Sequence, residues 1–279
     1  MKSPIRWLGG KAKLLPEILK RVPDDLNTRT YHEPFLGGGS VLLAMLPLVP
    51  RARANDLNWA LIETWKALKL DVDGVIQELL DLQRNTTEEA YYLARAELNE
   101  LMDGKFPRTP DVRMAAVFIY VNKTCFNGLF RVNKSGGFNT PWGKREGTQV
   151  FVESHLRMLA LRLNETPLVL ENLPYGDALA AAAGDSFVYL DPPYPPASKT
   201  ADFTNFTAGG FGDLDQLRLA TAIREAAARG AKLMLSMPHQ PFVTEMYRGF
   251  QRHEVRTRRS VSARSAGRGT AGELLITNY

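Results

Sequence analysis

A carboxylate, two prolines and a tyrosine, Asp191-Pro192-Pro193-Tyr194, directly follow the short apolar run 186–190. Each proline fixes φ and lacks a backbone N–H, so this corner offers hydrogen-bond acceptors beside the face of Tyr194. Such acceptors suit a planar, amine-bearing ring, whose nitrogen they would orient for attack on an electrophile. We take all four as candidate catalytic residues. The alternative is an ordinary Asp-Pro turn that ends a strand.

A second candidate site is the glycine-rich turn from Phe35 through Gly37 to Gly39, between a predicted strand and a predicted helix. Its bare amides would let a charged or polar ligand approach closely. Asp56 follows about 20 residues later, where doubly wound sheets often place an acid on ribose hydroxyls. These features admit NAD, FAD or S-adenosylmethionine, although Leu42 at the third glycine position disfavours NAD. An ordinary tight turn is the alternative.

Charge is concentrated near the end of the chain. The sequence has 35 basic and 30 acidic residues, a net charge of +5, and residues 252–268 hold six arginines and His253 against Glu254 alone. Clustered arginines favour a polyanionic partner, because phosphate contacts release counterions from nucleic acid. A solvated strand or tail would show the same cluster.

Composition excludes several protein classes. The 279 residues are 44% hydrophobic, enough for a core, and contain one cysteine, Cys125, which indicates a reducing compartment. No stretch reaches the roughly 18 apolar residues of a membrane span, and the start lacks the apolar core of a signal peptide. The four histidines show no ligand spacing, so we expect no metal. We therefore expect a cytoplasmic protein, monomeric by default.

Hydrophobic periodicity predicts alternating strands and helices, and hence an α/β fold with a doubly wound, mainly parallel sheet. The predicted helix that follows the glycine turn has Ser40 as its N-cap. The segment 59–125 is mostly helical and too long for one crossover, so we interpret it as part of an inserted domain. Strands are predicted at 31–35, 168–171, 186–190, 232–236, 255–261 and 273–277, and a further short strand is predicted to end near 55–56. Helices are predicted at 41–46, 153–163, 177–183 and 214–228.

These motifs, in this order, resemble the Dam-type DNA adenine-N6 methyltransferases of the D12 class, alpha group. The resemblance covers nearly the whole chain and includes the Asp191 to Tyr194 motif, the most specific of the set. The other matching segments are 6–11, 35–39, 56–58, 122–143, 201–204 and 258–262.

The resemblance implies a Rossmann-like catalytic domain of residues 1–57 and 151–279 that uses S-adenosylmethionine. Asp191 would accept a hydrogen bond from the amino group of a flipped-out adenine in double-stranded DNA, the Pro192 carbonyl would take the other N–H, and Tyr194 would stack on the ring. The residues that match cofactor-binding positions of the family are Trp7, Lys11, Phe35, Gly37, Gly39, Asp56 and Asp191.

The resemblance also implies a mostly helical target-recognition domain, residues 58–150, with a DNA-binding hairpin near 126–143. Phe126 and Leu129 would fill the vacated stack beside an Asn127-Gly128 turn. A surface turn over the helices is the alternative. The predicted DNA-binding residues are Arg6, Phe126, Asn127, Leu129, Arg131, Asn133, Lys144 and Arg259.

GATC is the target sequence that the resemblance favours, although two positions depart from the pattern. Lys144 stands where similar members carry arginine, the usual bidentate reader of guanine, and Arg6 stands where lysine is common. N4-cytosine methylation remains an alternative, since the same aspartate corner can hold a cytosine amine. So does a degenerate DNA-binding protein without activity, whereas a nicotinamide dehydrogenase would need neither the arginines nor the aspartate-diproline corner.

Overall fold

The structure, a computed structural model, describes residues 1–103, 111–194, 211–258 and 270–279. Its strands are β1 (Thr30–Glu33), β2 (Arg51–Asn55), β3 (Leu168–Glu171), β4 (Ser186–Leu190), β5 (Lys232–Pro238), β6 (Gln251–Arg258) and β7 (Thr270–Thr277). They form one sheet in the order β3-β2-β1-β4-β5-β7-β6. β7 runs antiparallel to β5 and β6, and the other neighbouring strands are parallel.

Helices connect the parallel strands and cover both faces of the sheet. They are α1 (Leu15–Leu19), α2 (Ser40–Met45), α3 (Trp59–Leu70), α4 (Val72–Gln83), α5 (Glu88–Asp103), α6 (Val112–Thr124), α7 (Glu153–Glu165), α8 (Tyr175–Ala180), α9 (Asp213–Ala228) and α10 (Pro241–Met246). Side-chain oxygens cap several of them; for example, Asp111 accepts hydrogen bonds from the first-turn amides of α6.

The central strand β4 is buried along its whole length. Its side chains alternate between two hydrophobic clusters: Phe187 and Tyr189 belong to one, Val188 and Leu190 to the other. A strand covered on both faces in this way reads as a continuous apolar run, which is why the sequence revealed it. The two clusters confirm the doubly wound α/β fold.

The helices between β2 and β3 share a hydrophobic cluster with the sheet. Helix α6 lies among α3, α4 and α5, and its Val117 belongs to the same cluster as Tyr31 of β1. Trp65 of α3 is fully buried beneath the glycine turn. The separate domain 58–150 therefore stays a prediction, since its first helix packs into the core of the sheet.

The sequence located most elements to within a few residues. Strands β3 and β4 have the predicted bounds. Helix α7 is two residues longer than predicted at its C-terminal end, and α9 is one residue longer at its N-terminal end. β1 ends at Glu33 rather than at residue 35, because Pro34 follows and has no N–H for the ladder. β6 begins at Gln251, four residues before the prediction, because a polar edge strand lacks a hydrophobic signal.

The predicted cap of α2 is wrong by one residue. Ser40 is the first residue of the helix, and its N-cap is Gly39, which has a φ of +65°. A Cβ atom at Gly39 would lie 2.6 Å from Cζ2 of Trp65. Gly39 therefore allows both the left-handed backbone and the close approach of α3 to the turn.

Replacing Gly39 by alanine should lower the free energy of unfolding through both effects. We expect a loss of about 1–2 kcal/mol from the positive φ and about 1–3 kcal/mol more from overpacking against Trp65. The matched control is Gly249→Ala, where φ is +95° and a Cβ would meet nothing within 4 Å. Urea denaturation of both variants measures the difference, and equal losses would contradict the packing role of Gly39.

Candidate active site

The carboxyl ends of β1, β2 and β4 lie side by side, where connections leave the sheet in opposite directions. The glycine turn follows β1, Asp56 follows β2, and Asp191 follows β4. Doubly wound sheets bind ligands at this switch point. The fold thus brings together two motifs that are more than 130 residues apart in the sequence.

An ion pair lies at this edge of the sheet. The ammonium Nζ of Lys11 is 2.7 Å from Oδ1 of Asp191. It also donates to the Gly9 carbonyl at 2.8 Å and lies 4.8 Å from the centroid of the Tyr194 ring. The expected corner of acceptors thus contains one donor, because the N-terminal segment folds back onto it.

Burial sets the electrostatics of the pair. The Lys11 side chain is 7% exposed and that of Asp191 is 20% exposed. Burial raises the pKa of Asp191, and the charge and hydrogen bond of Lys11 oppose the rise. No described residue makes a hydrogen bond to the other carboxylate oxygen of Asp191 or to the Pro192 carbonyl. Within the described part of the chain, these two acceptors therefore have no partner.

The rest of the corner is fixed by hydrogen bonds from β5, β7 and α9. The Tyr194 hydroxyl donates to Oε1 of Glu273 at 2.9 Å and lies 3.2 Å from Oγ of Ser236. The Pro193 carbonyl accepts from the buried side-chain amide of Gln216 at 3.0 Å. Sequence reasoning missed Glu273, Ser236 and Gln216, because only the sheet register places them beside Tyr194.

The glycine turn is held by Asp56. One carboxylate oxygen accepts from the Gly37 amide and the other from the Asn58 amide, each at 2.9 Å. Burial raises the pKa of Asp56 to about 6, although both hydrogen bonds lower it. The Gly39 amide donates to the Leu36 carbonyl. The expectation of bare amides is therefore wrong at Gly37 and Gly39, because the turn uses them internally.

Trp7 packs against this turn. Gly37 has a φ of +48°, and a Cβ there would lie 2.7 Å from Cδ1 of Trp7. The indole also stacks on Phe130, with 5.6 Å between ring centroids. Trp7 thus connects the glycine turn to the segment predicted to bind DNA.

An aromatic cluster lies beside the end of β1. The Phe35 ring stacks on Tyr175 at 5.5 Å between centroids and meets Phe211 edge-on at 6.2 Å. Tyr175 and Phe211 carry no sequence signal of their own, since each stands alone in a loop or at a helix start. Together the three rings form an apolar wall next to the predicted cofactor residues.

Two buried polar residues support the loops at this edge. The Glu33 carboxyl accepts from the Tyr31 hydroxyl at 2.7 Å, and burial raises its pKa well above the ordinary value. The Asn55 amide donates to the carbonyls of Pro34 and Leu173 and accepts from the Leu173 amide. Asn55 therefore ties the loops after β1 and β3 to the end of β2.

The predicted hairpin is an irregular excursion from the end of α6. Asn127 and Gly128 have φ values of +55° and +65°, which confirms the tight turn. Phe126 is 49% exposed beside this turn, whereas Leu129 is half-buried. Two isolated antiparallel bridges, Cys125 with Trp142 and Val132 with Phe138, close the excursion.

Arg6 lies against the Asn127-Gly128 turn. Its backbone exchanges two hydrogen bonds with the Asn122 side chain, of 2.7 and 2.8 Å, and its guanidinium donates to the Lys123 carbonyl. Burial, and then the charge of Arg145, lower the pKa of Arg6. Arg6 therefore brings a positive charge to the base of the turn, close enough to Arg145 for the two charges to repel each other.

The remaining predicted DNA-binding residues differ in their contacts. Arg131 is exposed and donates to Oδ1 of Asn139 at 2.7 Å. The Asn133 side-chain oxygen accepts from the amides of Ser135 and Gly137, so it shapes the next turn. Lys144 is exposed with a φ of +53°. Arg259 lies outside the described residues.

Among the described residues, no group of three or more His, Cys, Asp or Glu side chains could hold a metal ion. In the same part of the chain, no helix is both long and apolar enough to cross a membrane.

Comparison with known proteins identifies the family. Residues 7–261 match the model of the D12 class N6 adenine-specific DNA methyltransferases. The chain belongs to this family. Its reaction is therefore methylation of adenine N6 in DNA, and the family gives no support to the N4-cytosine, non-catalytic and dehydrogenase alternatives.

Similar proteins span the full length of the chain. The type II methyltransferase M.MjaIII of Methanocaldococcus jannaschii is 36% identical over 100% of this chain and 99% of its own. The type II methyltransferase M1.LlaDCHI of Lactococcus lactis subsp. cremoris is 33% identical over 98% of this chain and 94% of its own. A DNA adenine methylase of Vibrio cholerae is 34% identical over 97% of this chain and 94% of its own.

Replacing Lys11 by methionine in this methyltransferase should destabilise the fold most at high pH. The change leaves a buried carboxylate unpaired, which raises the pKa of Asp191 further. A folded-state pKa above the unfolded value removes stability as pH rises. We expect a loss of about 3–5 kcal/mol near pH 8 and a smaller loss near pH 5, where Asp191 of the variant binds a proton.

Urea denaturation of wild type and variant at both pH values measures this difference. The double variant Lys11→Met/Asp191→Asn is the control, because it removes both charges and should recover part of the stability at high pH. A loss that is the same at both pH values would show that Asp191 does not depend on Lys11 for its ionisation.

Proposed function

We propose that this methyltransferase transfers a methyl group from S-adenosylmethionine to N6 of a flipped-out adenine within GATC in double-stranded DNA. The observation that carries the proposal is the position of Asp191. It follows β4 at the switch point, beside the glycine turn and Asp56, with one carboxylate oxygen engaged by Lys11.

The residues near Asp56 have the chemistry that S-adenosylmethionine requires. Each Asp56 oxygen accepts one backbone N–H and can accept a second hydrogen bond, which suits ribose hydroxyls. A pKa of about 6 leaves this carboxyl mostly ionised at neutral pH. Trp7, Lys11, Phe35, Gly37, Gly39 and Asp191 are the other residues proposed to hold the cofactor. When bound, S-adenosylmethionine supplies an electrophilic methyl group on its sulfonium.

The corner after β4 would orient the adenine amino group. The carboxylate oxygen of Asp191 that Lys11 leaves open and the Pro192 carbonyl each accept one N–H, while Tyr194 stacks on the ring. Only ionised Asp191 is an acceptor at both oxygens, and Lys11 favours that form against burial. As the new N–C bond forms, the methyl–sulfur bond of the cofactor would break, and Asp191 would accept the proton that N6 loses. Pro193 keeps the turn rigid, with its carbonyl held by Gln216.

Residues 58–150, with the turn at Asn127-Gly128, are proposed to recognise the DNA. The exposed ring of Phe126 and, beside it, Leu129 would fill the gap that the flipped base leaves, at an unstacking cost of a few kcal/mol. The positive charge of Arg6 beside the turn, with Arg145 close to it, supports the proposal. The polar residues proposed to contact phosphates or base edges are Arg6, Asn127, Arg131, Asn133, Lys144 and, outside the described residues, Arg259.

Replacing Asp191 by asparagine should abolish methyl transfer. Asparagine keeps the shape of the side chain but puts an N–H₂ donor where the amine needs an acceptor, so we expect kcat to fall at least about 100-fold. The assay follows labelled methyl from S-adenosylmethionine into duplex DNA. Asp24→Asn is the control, since Asp24 is exposed and precedes β1 at the opposite edge of the sheet. Full activity of Asp191→Asn would refute the proposed role.

Expression in a host that lacks DNA methylation should produce N6-methyladenine within GATC. Lysine carries three rotatable donors, so Lys144 can still bind guanine, but less rigidly than arginine. We therefore expect some methylation at sites that differ from GATC at one position. Sequencing that detects modified bases gives the target directly. Methyladenine confined to an unrelated sequence would overturn the GATC assignment and leave adenine methylation intact.

A further inference from the structure

The hydroxyl of Tyr194 has no part in stacking on a base, yet it is the most constrained part of the side chain. It donates to Oε1 of Glu273 at 2.9 Å and lies 3.2 Å from Oγ of Ser236, so the ring is anchored at its far end. Ser236 is fully buried, and Glu273 is half-buried. Phenylalanine would stack as well as tyrosine, which means that the hydroxyl requires a separate explanation.

The sheet register explains why these three residues meet. Ser236 pairs with Leu275 across β5 and β7, and Glu273 is two residues before Leu275. Side chains of paired residues, and of residues two apart on one strand, lie on the same face of a sheet. Leu235 pairs with Leu190, so Ser236 is beside the start of the turn that carries Tyr194. Glu273 reaches the catalytic corner from the antiparallel strand.

Anchoring the hydroxyl fixes the direction of the axis that runs through the Tyr194 ring. The oxygen lies on the axis about which the ring spins, so its hydrogen bonds fix the position and tilt of the ring but not its spin. The Lys11 ammonium lies over one face, 4.8 Å from the centroid. Together, the two contacts restrain the axis of the ring and the face that it presents to Lys11.

The electrostatic effect of Glu273 on Asp191 indicates that its role is the hydrogen bond with the Tyr194 hydroxyl and not general stability. Its carboxylate raises the pKa of Asp191 by like-charge repulsion, an effect that works against the ionised acceptor. A residue that only filled space here would be better uncharged. A carboxylate, however, is a stronger acceptor for a tyrosine O–H than a neutral oxygen.

We propose that Glu273 is a positioning residue that holds the Tyr194 ring at the tilt needed for stacking on the target adenine. This inference rests on the proposed stacking role of Tyr194. Glu273 touches neither substrate nor reacting atoms. It acts through the tyrosine hydroxyl, so its removal should affect the bound complex and not the binding of cofactor.

The experiment compares Glu273→Ala, Glu273→Gln, Tyr194→Phe and the double variant Tyr194→Phe/Glu273→Ala. Methyl transfer to duplex DNA gives kcat and KM, and the fluorescence of 2-aminopurine at the target position reports base flipping. We expect Glu273→Ala and Tyr194→Phe each to lower kcat about 10-fold, because both lose the same hydrogen bond. The double variant should lose no more than either single variant.

Glutamine at position 273 keeps an acceptor oxygen, so Glu273→Gln should recover most of the activity that Glu273→Ala loses. The matched control is Glu225→Ala, because Glu225 is exposed near the end of α9, at the far edge of the sheet. Affinity for S-adenosylmethionine should be unchanged in Tyr194→Phe, and the melting temperature should fall by only a few degrees, since a single hydrogen bond is lost. A merely structural role would instead lower the melting temperature without the loss of flipped-base signal.

Three results would overturn the inference: a normal kcat in Glu273→Ala, losses that add in the double variant, or a Glu273→Gln variant as poor as Glu273→Ala. Tyr194→Ala separates this inference from the proposed function. If Tyr194→Ala is inactive while Glu273→Ala is normal, only the anchoring fails. If Tyr194→Ala is fully active, the stacking role of Tyr194 fails, and the role of Glu273 with it.

Discussion

The ion pair between the buried ammonium of Lys11 and the partly exposed carboxylate of Asp191 is the contact on which the proposed catalytic corner depends. Burial raises the pKa of Asp191, of Glu33 and of Asp56, so at this edge of the sheet burial works against the ionised form of each acid. Protonated Asp191 would present a donor where an amine needs an acceptor. Lys11, at 2.7 Å, is the described cation that contacts Asp191 and shifts its equilibrium toward the carboxylate. Among the described residues, the pair leaves the other carboxylate oxygen of Asp191 without a hydrogen bond, which suits its proposed contact with the amino group of adenine.

The cation comes from a segment that also contacts the proposed DNA-binding surface. Within six residues, Arg6 bonds to Asn122 at the end of α6, Trp7 stacks on Phe130, and Lys11 binds Asp191. This segment therefore links the hairpin proposed to bind DNA to the ion pair of Asp191, the proposed catalytic aspartate. Active sites need such supporting contacts, because an error of about 1 Å in position is costly to catalysis.

The fold and the motifs could be predicted from the sequence, but few of the contacts between the motifs could. Apolar runs located β3 and β4 at their observed bounds, because buried parallel strands carry a continuous hydrophobic signal. The prediction of Lys11 as a cofactor residue did not foresee its ion pair, because the partner is 180 residues away and proximity depends on the whole sheet. The prediction of bare amides in the glycine turn was wrong for a related reason. Asp56, which was expected to face a ligand, also accepts a hydrogen bond from the Gly37 amide.

Glu273 illustrates the limit most clearly, since its position depends on strand direction. β7 is antiparallel to β5, so its first residues lie at the edge where β5 ends, and Glu273 pairs with Pro238 there. In a parallel strand the same residue would lie at the opposite edge, far from Tyr194. A local sequence pattern shows that a strand is present but not which way it runs. The reversed strand therefore places the carboxylate of Glu273 at the edge of the sheet proposed to be catalytic. Strand β6, which is antiparallel to β7, also ends at that edge.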